Sequence, residues 1–185
     1  MSSVPQDRLD KIEFILDDRV PPHIDTVNTD PKFFKQILTA IIKNALDNTE
    51  SGSVIVQVVT PDEKHRLIYD VIDTGCGIDP KDHNRIFKPF EKVSEFTSSS
   101  GLGLAISSRL AGALGGEVFL VSSELGHGSH FRIVLDNVGL ACSVNPPLLH
   151  VLEDFKKEIP LSYWQPGHRQ IETRMFDYYT ASLLS

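Results

Sequence analysis

The sequence predicts an α+β two-layer sandwich, in which helices pack on one face of a mixed β-sheet. Segments with helical and strand-like patterns follow one another in the order α, β, β, α, β, β, which is not a strict βαβ repeat. The composition, with 41% hydrophobic and 23% charged residues, is typical of a globular protein. At 185 residues the chain is long enough to bury a core without disulfides or a structural metal.

The first half of the chain predicts a strand and then a helix. Residues 11–16 alternate polar and apolar side chains, which indicates a short strand, whereas residues 17–29 contain two successive prolines and predict a loop. Asp30 followed by Pro31 is typical of a helix start. Apolar residues at three- and four-residue spacing then extend the predicted helix to about Asn48.

A hairpin and a second helix are predicted next. Residues 54–59 and 66–72 are rich in β-forming residues and flank a short turn at 61–64, which predicts a hairpin. Residues 102–114 again have helical character and end at a Gly-Gly pair, which is typical of a helix terminus. The first predicted helix is thus followed by a pair of strands and then by the second helix.

The last predicted strands complete the domain and precede a tail. Residues 117–122 and 130–135 predict two strands around a glycine-containing turn. The composition then changes, so we divide the chain into a domain over residues 1–135 and a linker with a tail over residues 136–185. Within the tail, we expect a linker over 137–147 and helices over two segments, 148–159 and 169–184.

The composition also excludes several classes of function. Eighteen Lys and Arg stand against 25 Asp and Glu, and the formal net charge of −7 argues against nucleic acid or an anionic membrane surface as a partner. Two cysteines, Cys76 and Cys142, are too few for a disulfide framework and indicate a reducing compartment. The apolar runs are too short for a membrane span and the first residues do not resemble a signal peptide, so we expect a cytoplasmic protein.

Asn44 is the first candidate for a binding role. It lies seven residues after Ile37 and three after Ile41, so it projects from the apolar side of the first predicted helix. A buried amide needs partners, because leaving it unsatisfied costs roughly 1–3 kcal/mol. Taken alone, Asn44 is more simply explained by a structural hydrogen bond to a neighbouring loop.

Two glycine-containing segments are the other candidates. Asp73 ends a predicted strand and is followed by Gly75 and Gly77, so a carboxylate acceptor stands beside backbone that another group can approach closely. Residues 98–104 run from serines through Gly-Leu-Gly into a helix, whose N-terminal N–H groups suit a phosphate. A tight turn and a flexible connection are the structural alternatives for these two segments.

In their order along the chain, these motifs resemble the ATP-binding fold, also called the Bergerat fold, of sensor histidine kinases, DNA gyrase, Hsp90 chaperones and MutL proteins. The resemblance is closest to the histidine kinases and covers about residues 11–135. The N, G1, F and G2 boxes match residues 41–45 (Ile-Ile-Lys-Asn-Ala), 73–78 (Asp-Thr-Gly-Cys-Gly-Ile), 86–90 (Ile-Phe-Lys-Pro-Phe) and 101–104 (Gly-Leu-Gly-Leu), and residues 126–131 match a Gly-x-Gly-Ser-x-Phe turn.

This resemblance implies that ATP and Mg²⁺ are the cofactors. Asn44 would hold the Mg²⁺ ion that bridges the phosphates, and Asp73 would accept a hydrogen bond from the adenine amino group beside Gly77. Gly101 and Gly103 would present backbone N–H groups to the phosphates. The other implied nucleotide contacts are Gly75, Ile78, Lys88, Phe90, Lys92, Ser99, Ser100, Leu102 and Leu104.

The implied lid over the nucleotide spans residues 91–100. Phe87 and Phe90 would anchor its base in the core, which is also compatible with packing alone. Lys92 is the preferred cationic group for the phosphates and for catalysis, followed by Lys88, although either could be a solvated surface lysine.

Three departures from the family pattern affect the expected activity. Ala40 stands where many relatives carry an Asn, or in the hydrolytic branches a Glu that acts as general base, which disfavours a gyrase-like or chaperone-like ATPase. Asp47 stands where relatives usually carry Lys or Arg. The residues before Gly101 are serines where the family prefers glycine, and serine is less permissive in backbone conformation.

None of the seven histidines lies in the sequence context of a phosphoacceptor. The resemblance therefore implies transfer of the γ-phosphoryl group of ATP to a histidine on a separate dimerisation domain, with a response regulator as an indirect partner. The chain would be the cytosolic part of a larger membrane-bound or soluble kinase. The alternative is a degenerate nucleotide-binding or regulatory module without phosphotransfer.

Overall fold

The computed structural model describes residues 10–20, 26–60, 66–90, 101–136, 139–141 and 164–165. Its elements in chain order are β1 (Ile12–Asp18), β2 (Thr26–Asn28), α1 (Pro31–Asn48), β3 (Gly52–Val59), β4 (Leu67–Asp73), a 3₁₀ turn (Pro80–Asp82), α2 (Gly103–Ala113), β5 (Gly116–Glu124), β6 (Gly128–Leu135), β7 (Gly139–Ala141) and β8 (Trp164–Gln165).

A mixed sheet of six strands forms one layer, in the order β5-β6-β4-β3-β1-β8. Strand β1 runs parallel to β3 and β8, and the β3–β4, β4–β6 and β5–β6 pairs are antiparallel. Helix α1 lies in the connection between β1 and β3, because parallel neighbours need a crossover rather than a tight turn. The predicted α+β sandwich and the hairpin of β3 and β4 are confirmed.

The core lies between the sheet and the two helices. Strands β1, β3, β4 and β6 bury every second side chain, as the period-two alternation of a half-buried strand requires. Helix α1 contributes the apolar stripe predicted from its sequence. The buried apolar residues that face the helices are Ile12, Phe14, Leu16, Val54, Val56, Val58, Leu67, Tyr69, Val71, Phe131, Ile133 and Leu135 from the strands, and they pack with Phe34, Ile37, Leu38, Ile41, Ile42, Ala45 and Leu46 from α1.

Both ends of α1 are fixed by side-chain hydrogen bonds. Asp30 Oδ1 accepts from the backbone N–H groups of Lys32 and Phe33 at 2.9 and 3.0 Å, which confirms the predicted N-cap. At the other end, Thr49 Oγ1 donates to the carbonyl oxygen of Ala45 at 2.8 Å. This bond closes the last turn of α1.

Two predictions for irregular segments are wrong. Residues 17–29 do not form a loop throughout, because β1 extends to Asp18 and Thr26–Asn28 form β2. Part of the predicted linker, Gly139–Ala141, is β7, which pairs antiparallel with β2. Strands of three residues are too short for a period-two pattern to indicate them.

The tail adds one short strand to the described sheet. Trp164–Gln165 lie parallel to Phe14 and Ile15 of β1. The predicted tail helices over 148–159 and 169–184 and the hairpin turn at 61–64 lie outside the described residues. Among the described residues, no helix combines the length and the apolar character that crossing a membrane would require.

Candidate functional site

The loop after β4 lies between the end of α1 and the turn that joins β5 to β6. The Cys76 N–H group donates to the Asn48 carbonyl oxygen at 3.0 Å, and the Cys76 carbonyl oxygen accepts from the Gly126 N–H group at 2.8 Å. One residue of the loop is therefore tied to both neighbouring elements. The fold thus brings the predicted N-box helix, the predicted G1 loop and the Gly126–Gly128 turn together at one edge of the sheet.

Gly75 and Gly77 allow this close contact on either side. A Cβ atom on Gly75 would lie 2.2 Å from the carbonyl oxygen of Asn48, at the end of α1. A Cβ atom on Gly77 would lie 1.9 Å from the carbonyl oxygen of Glu124, and Gly77 has a φ of +67°, which favours glycine. The two glycines that the sequence analysis singled out are therefore required by the packing of the loop itself.

Asp73 stands at the start of this loop as a buried carboxylate. It is 3% exposed, and its Oδ1 accepts from the Gly75 N–H group at 2.9 Å. Burial raises the pKa of Asp73, and hydrogen bonds from the backbone N–H groups of Gly75 and Ser129 oppose that shift. A carboxylate can accept about four hydrogen bonds, so these two donors leave Asp73 with capacity to accept from an amino group of a ligand.

Asn44 and Asn48 form a pair one turn apart on α1. The Asn48 Nδ2 group donates to the Asn44 carbonyl oxygen at 2.7 Å and approaches Asn44 Oδ1 at 3.3 Å. Asn48 Oδ1 in turn lies 3.8 Å from Cys76 Sγ, which links the pair to the loop. Asn44 is half-buried, and its amide oxygen keeps a second lone pair for a ligand.

The described residues include no group of three or more His, Cys, Asp or Glu side chains placed to hold a metal ion. Asn44 offers a single neutral oxygen. Mg²⁺ is usually bound by one or two protein ligands together with substrate phosphates and water. The available donor therefore fits a Mg²⁺ ion that is bound mainly by a nucleotide, and does not fit a site made by the protein alone.

The thiol of Cys76 lies exposed in the same loop. Burial of the sulfur raises the pKa of Cys76, and the nearby charge of Asp73 raises it further. The raised pKa disfavours the thiolate, and the thiol is a weak donor to Asn48 Oδ1.

The predicted F box divides into a buried part and an exposed part. Ile86 is buried, and the Phe87 ring packs edge-on against Phe131 with the ring centroids 6.3 Å apart. Phe90 is 76% exposed, so the prediction that it anchors the lid in the core is wrong. Its backbone has a φ of +65° and its N–H group donates to the Gly101 carbonyl oxygen at 3.3 Å, which joins the two ends of segment 91–100.

The predicted phosphate-binding segment leads directly into α2. Leu102 occupies the N-cap position, and its side chain makes no capping hydrogen bond with the first N–H groups of α2. A Cβ atom on Gly103 would lie 3.9 Å from the Cβ atom of Ala40 on α1. The start of α2 therefore packs one turn before Asn44, and Leu104 packs half-buried against the core.

The remaining predicted site residues are placed in part. Ile78 is half-buried against the core and closes the loop that Asp73 begins. Lys88 is exposed and its side chain is not directed into the core. The predicted contacts Lys92, Ser99 and Ser100, and with them the predicted lid over 91–100, lie outside the described residues.

Sequence reasoning missed Ser123, which lies at the end of β5. Its Oγ accepts from the Ile78 N–H group at 2.8 Å and contacts both Gly128 and Ser129 across the β5–β6 turn. The predicted strand ended at Ser122, so Ser123 fell between two assignments. A hydroxyl residue shortly before a Gly-x-Gly turn is a weak signal that could have drawn attention to it.

Comparisons with known proteins agree with this geometry. The family model described as histidine kinase-, DNA gyrase B- and HSP90-like ATPase matches residues 29–138. The sensor protein TorS of Escherichia coli is 44% identical over 107 residues, which cover 57% of this chain and 12% of TorS. The aerobic respiration control sensor protein ArcB of Escherichia coli is 35% identical over 140 residues, covering 72% of this chain and 18% of ArcB.

A solved structure is also similar to this chain. The crystal structure of full-length ShkA in complex with AMPPNP superimposes with a TM-score of 0.58 at 32% sequence identity, covering 76% of this chain and 28% of ShkA. This chain thus spans less than a fifth of each of the two curated relatives. The similarity is confined to the part of each relative that matches the described domain.

Proposed function

We propose a kinase function from the premise that the chain belongs to the family of histidine kinase-, DNA gyrase B- and HSP90-like ATPases. In this proposal, the domain binds Mg·ATP and provides its γ-phosphoryl group to a histidine on a separate dimerisation domain, as part of two-component signalling. The observation that carries it is Asp73, a buried carboxylate with spare acceptor capacity between the end of α1 and the β5–β6 turn. The need for ATP favours the cytosol as its place of action.

The adenine end of the site follows from Asp73. Its remaining lone pairs would accept from the exocyclic amino group of adenine. Burial raises the pKa of Asp73, but the hydrogen bonds from the Gly75 and Ser129 N–H groups oppose that rise and favour the ionised, accepting form. Gly77 packs against the Glu124 carbonyl oxygen and, having no side chain, would let the flat face of the purine approach the backbone of the loop. Ile78 and the exposed ring of Phe90 would provide apolar contacts to the base.

The phosphate end follows from α1 and α2. The first N–H groups of α2, from Gly103 onwards, are not capped by the Leu102 side chain and would bind phosphate oxygens. Asn44 would hold a Mg²⁺ ion, which when bound supplies positive charge that neutralises the phosphates during transfer. Lys92 would add a cation from the lid, and Ser99, Ser100, Gly101, Leu102 and Leu104 would surround the same phosphates. Lys88 would act from the rim of the site.

The proposed reaction is an in-line transfer. A nitrogen of the acceptor imidazole forms a bond to the γ-phosphorus while the bond to the bridging oxygen breaks, ADP leaves with that electron pair, and the imidazole proton passes to solvent. Such transfer depends mainly on positioning and charge stabilisation. Ala40 offers no acid–base group beside Gly103, which favours transfer to an incoming imidazole over hydrolysis by an activated water molecule.

Phosphotransfer to supplied acceptors tests this proposal. The 185-residue chain is incubated with ATP labelled at the γ position, Mg²⁺ and a panel of dimerisation domains from related kinases. We expect label on an acceptor histidine with the wild-type chain and its loss in Asn44→Ala. Asn84→Ala is the matched control, because Asn84 is an exposed asparagine in the turn after Pro80–Asp82.

The outcomes separate the two predicted functions. Nucleotide binding without label on any acceptor would reject the kinase and support the degenerate binding module. Absence of nucleotide binding in the wild-type chain would reject both. Equal loss of label in Asn44→Ala and Asn84→Ala would show that the assay responds to general damage rather than to the role of Asn44.

A further inference from the structure

The Ser123 hydroxyl makes three short contacts beneath the loop after β4. Its oxygen lies 2.8 Å from the Ile78 backbone nitrogen, 2.9 Å from the Gly128 carbonyl oxygen and 3.0 Å from Ser129 Oγ. One side chain therefore joins the end of the loop to the first two residues of β6. Ser122, its neighbour on β5, is exposed.

The directions of these hydrogen bonds follow from the available protons. The Ile78 N–H group can only donate and the Gly128 carbonyl oxygen can only accept, so the single proton of Ser123 goes to Gly128. The contact with Ser129 must then be donated by Ser129. The hydroxyl proton of Ser129 is thereby committed to Ser123 and is not available to Asp73, which receives the Ser129 backbone N–H group instead.

Ser123 also fixes the far end of the loop. Asp73 is held at the near end by the β-ladder, where it pairs with Ser129 of β6. The hydrogen bond from Ile78 to Ser123 holds the other end, and Gly77 between them presses against the Glu124 carbonyl oxygen. The Cys76 backbone groups hold the middle of the loop, and the Ser123 hydroxyl is the side-chain group that holds its end at Ile78.

We propose that Ser123 is a positioning residue that makes the site select a 6-amino purine over a 6-oxo purine. It holds Ile78 and Gly77 at the distance from Asp73 that a purine requires. It also keeps the Ser129 proton away from Asp73, so the carboxylate stays an acceptor and favours an amino group over a carbonyl. The inference rests on the proposed nucleotide-binding function and assigns to the β5–β6 turn a part in base selection.

Purine selectivity of the Ser123→Ala variant tests the inference. Binding of ADP and of inosine diphosphate, which carries a 6-oxo group, is measured by calorimetry with Mg²⁺ for the full 185-residue chain. We expect Ser123→Ala to bind ADP about tenfold more weakly, because the loss of one hydrogen bond frees the Ser129 hydroxyl to compete for Asp73. The ratio of ADP to inosine diphosphate affinity should fall toward one, whereas Ser122→Ala, the matched control, should keep both affinities.

Amide hydrogen exchange of the nucleotide-free chain provides a second readout. Exchange of the Ile78 amide proton should be slow in the wild type and in Ser122→Ala, and fast in Ser123→Ala, because the acceptor of that N–H group is removed. Unfolding temperatures recorded on the same samples show whether each variant is folded. Fast Ile78 exchange in the wild type would contradict the contact on which the inference depends.

The results distinguish this inference from the proposed function. An unchanged affinity ratio in Ser123→Ala, with ADP still bound by the wild type, overturns the role of Ser123 alone. An equal loss of affinity for both diphosphates also overturns it, because a merely structural residue would weaken both ligands alike. If the wild type binds neither ligand, both the inference and the proposed function are rejected.

Discussion

Alanine substitution at three glycines tests the close contact between the loop after β4 and the β5–β6 turn. Gly77 has a φ of +67° and its added Cβ atom would lie 1.9 Å from the Glu124 carbonyl oxygen. Gly126 has a φ of +80°, but nothing lies within 4 Å of its added Cβ atom. Gly112, in helix α2, has no positive φ and an equally open position. The three sites thus separate backbone strain from steric contact.

The expected magnitudes follow from these differences. Gly126→Ala incurs only left-handed strain, about 1–2 kcal/mol. Gly77→Ala incurs the same strain and must also move Glu124 from 1.9 Å to the 3.4 Å at which ordinary contact begins, and overpacking of this kind costs about 1–3 kcal/mol more. Gly112→Ala should stabilise the protein by about 0.5–1 kcal/mol, because alanine is the better helix former.

Thermal unfolding at neutral pH measures the series. For a chain of this size, 1 kcal/mol corresponds to about 2–4 °C in Tm. We therefore expect Tm to rise by a few degrees in Gly112→Ala, to fall by roughly 2–8 °C in Gly126→Ala and to fall by roughly 4–20 °C in Gly77→Ala. ADP affinity should decrease in Gly77→Ala alone. If Gly77→Ala and Gly126→Ala lowered Tm equally, the contact between Gly77 and Glu124 would be refuted.

Two further predictions concern stability away from the loop. Asp70 is buried and accepts hydrogen bonds from Arg132 and His130 at 2.7 Å. Burial alone would raise the pKa of Asp70, but these hydrogen bonds lower it. Asp70→Ala should therefore cost about 1–3 kcal/mol near neutral pH. The stabilisation by Asp70 is present above the unfolded-state pKa of about 3.9 and disappears as the pH falls through the lowered folded-state pKa. Denaturant unfolding should therefore show a smaller difference in stability between the wild type and Asp70→Ala at pH 3 than at pH 7. The control Asp136→Ala, which breaks an exposed ion pair with Arg66, should cost less than about 1 kcal/mol. Phe87→Ala should destabilise the protein by about 2–4 kcal/mol in the same assay, because the Phe87 ring packs on Phe131. Phe90→Ala should change stability by less than about 0.5 kcal/mol, because the Phe90 ring is exposed. Equal effects of the two substitutions would contradict the structure.

Elements with long periodic patterns could be predicted from the sequence. Helix α1 was predicted from its N-cap to Asn48, because its apolar spacing and the Asp30–Pro31 start are both local signals. Strands β2 and β7 could not be predicted, because each is three residues long and is formed by pairing with the other across more than 100 residues of chain. A local sequence pattern therefore indicates α1, whereas β2 and β7 depend on tertiary pairing.

The candidate site shows the same division. Asp73 could be chosen from sequence, because an acid before two glycines is unusual in itself, whereas Asn44 became a candidate through the order of the motifs along the chain. Ser123 could not, because serine at a strand end is common and its role comes from contact with Ile78, 45 residues away. Phe90 was assigned to the core by the resemblance to the family, but its ring is exposed and its backbone has a positive φ.

The net charge of −7 remains compatible with a polyphosphate ligand, because the negative charge of Asp73 lies away from the proposed phosphate end of the site. Asp73, the carboxylate of the site, is buried at the proposed adenine end, where an ionised acceptor is useful. The proposed phosphate end offers neutral groups, the amide of Asn44 and the N–H groups at the start of α2. Electrostatic attraction from neutral dipoles is local, whereas the charge of the whole protein is screened beyond about 10 Å at ordinary ionic strength. The balance of charge at the phosphates therefore depends on the divalent ion that accompanies the nucleotide and on the proposed cations Lys92 and Lys88, and the net charge of the chain has little influence on it.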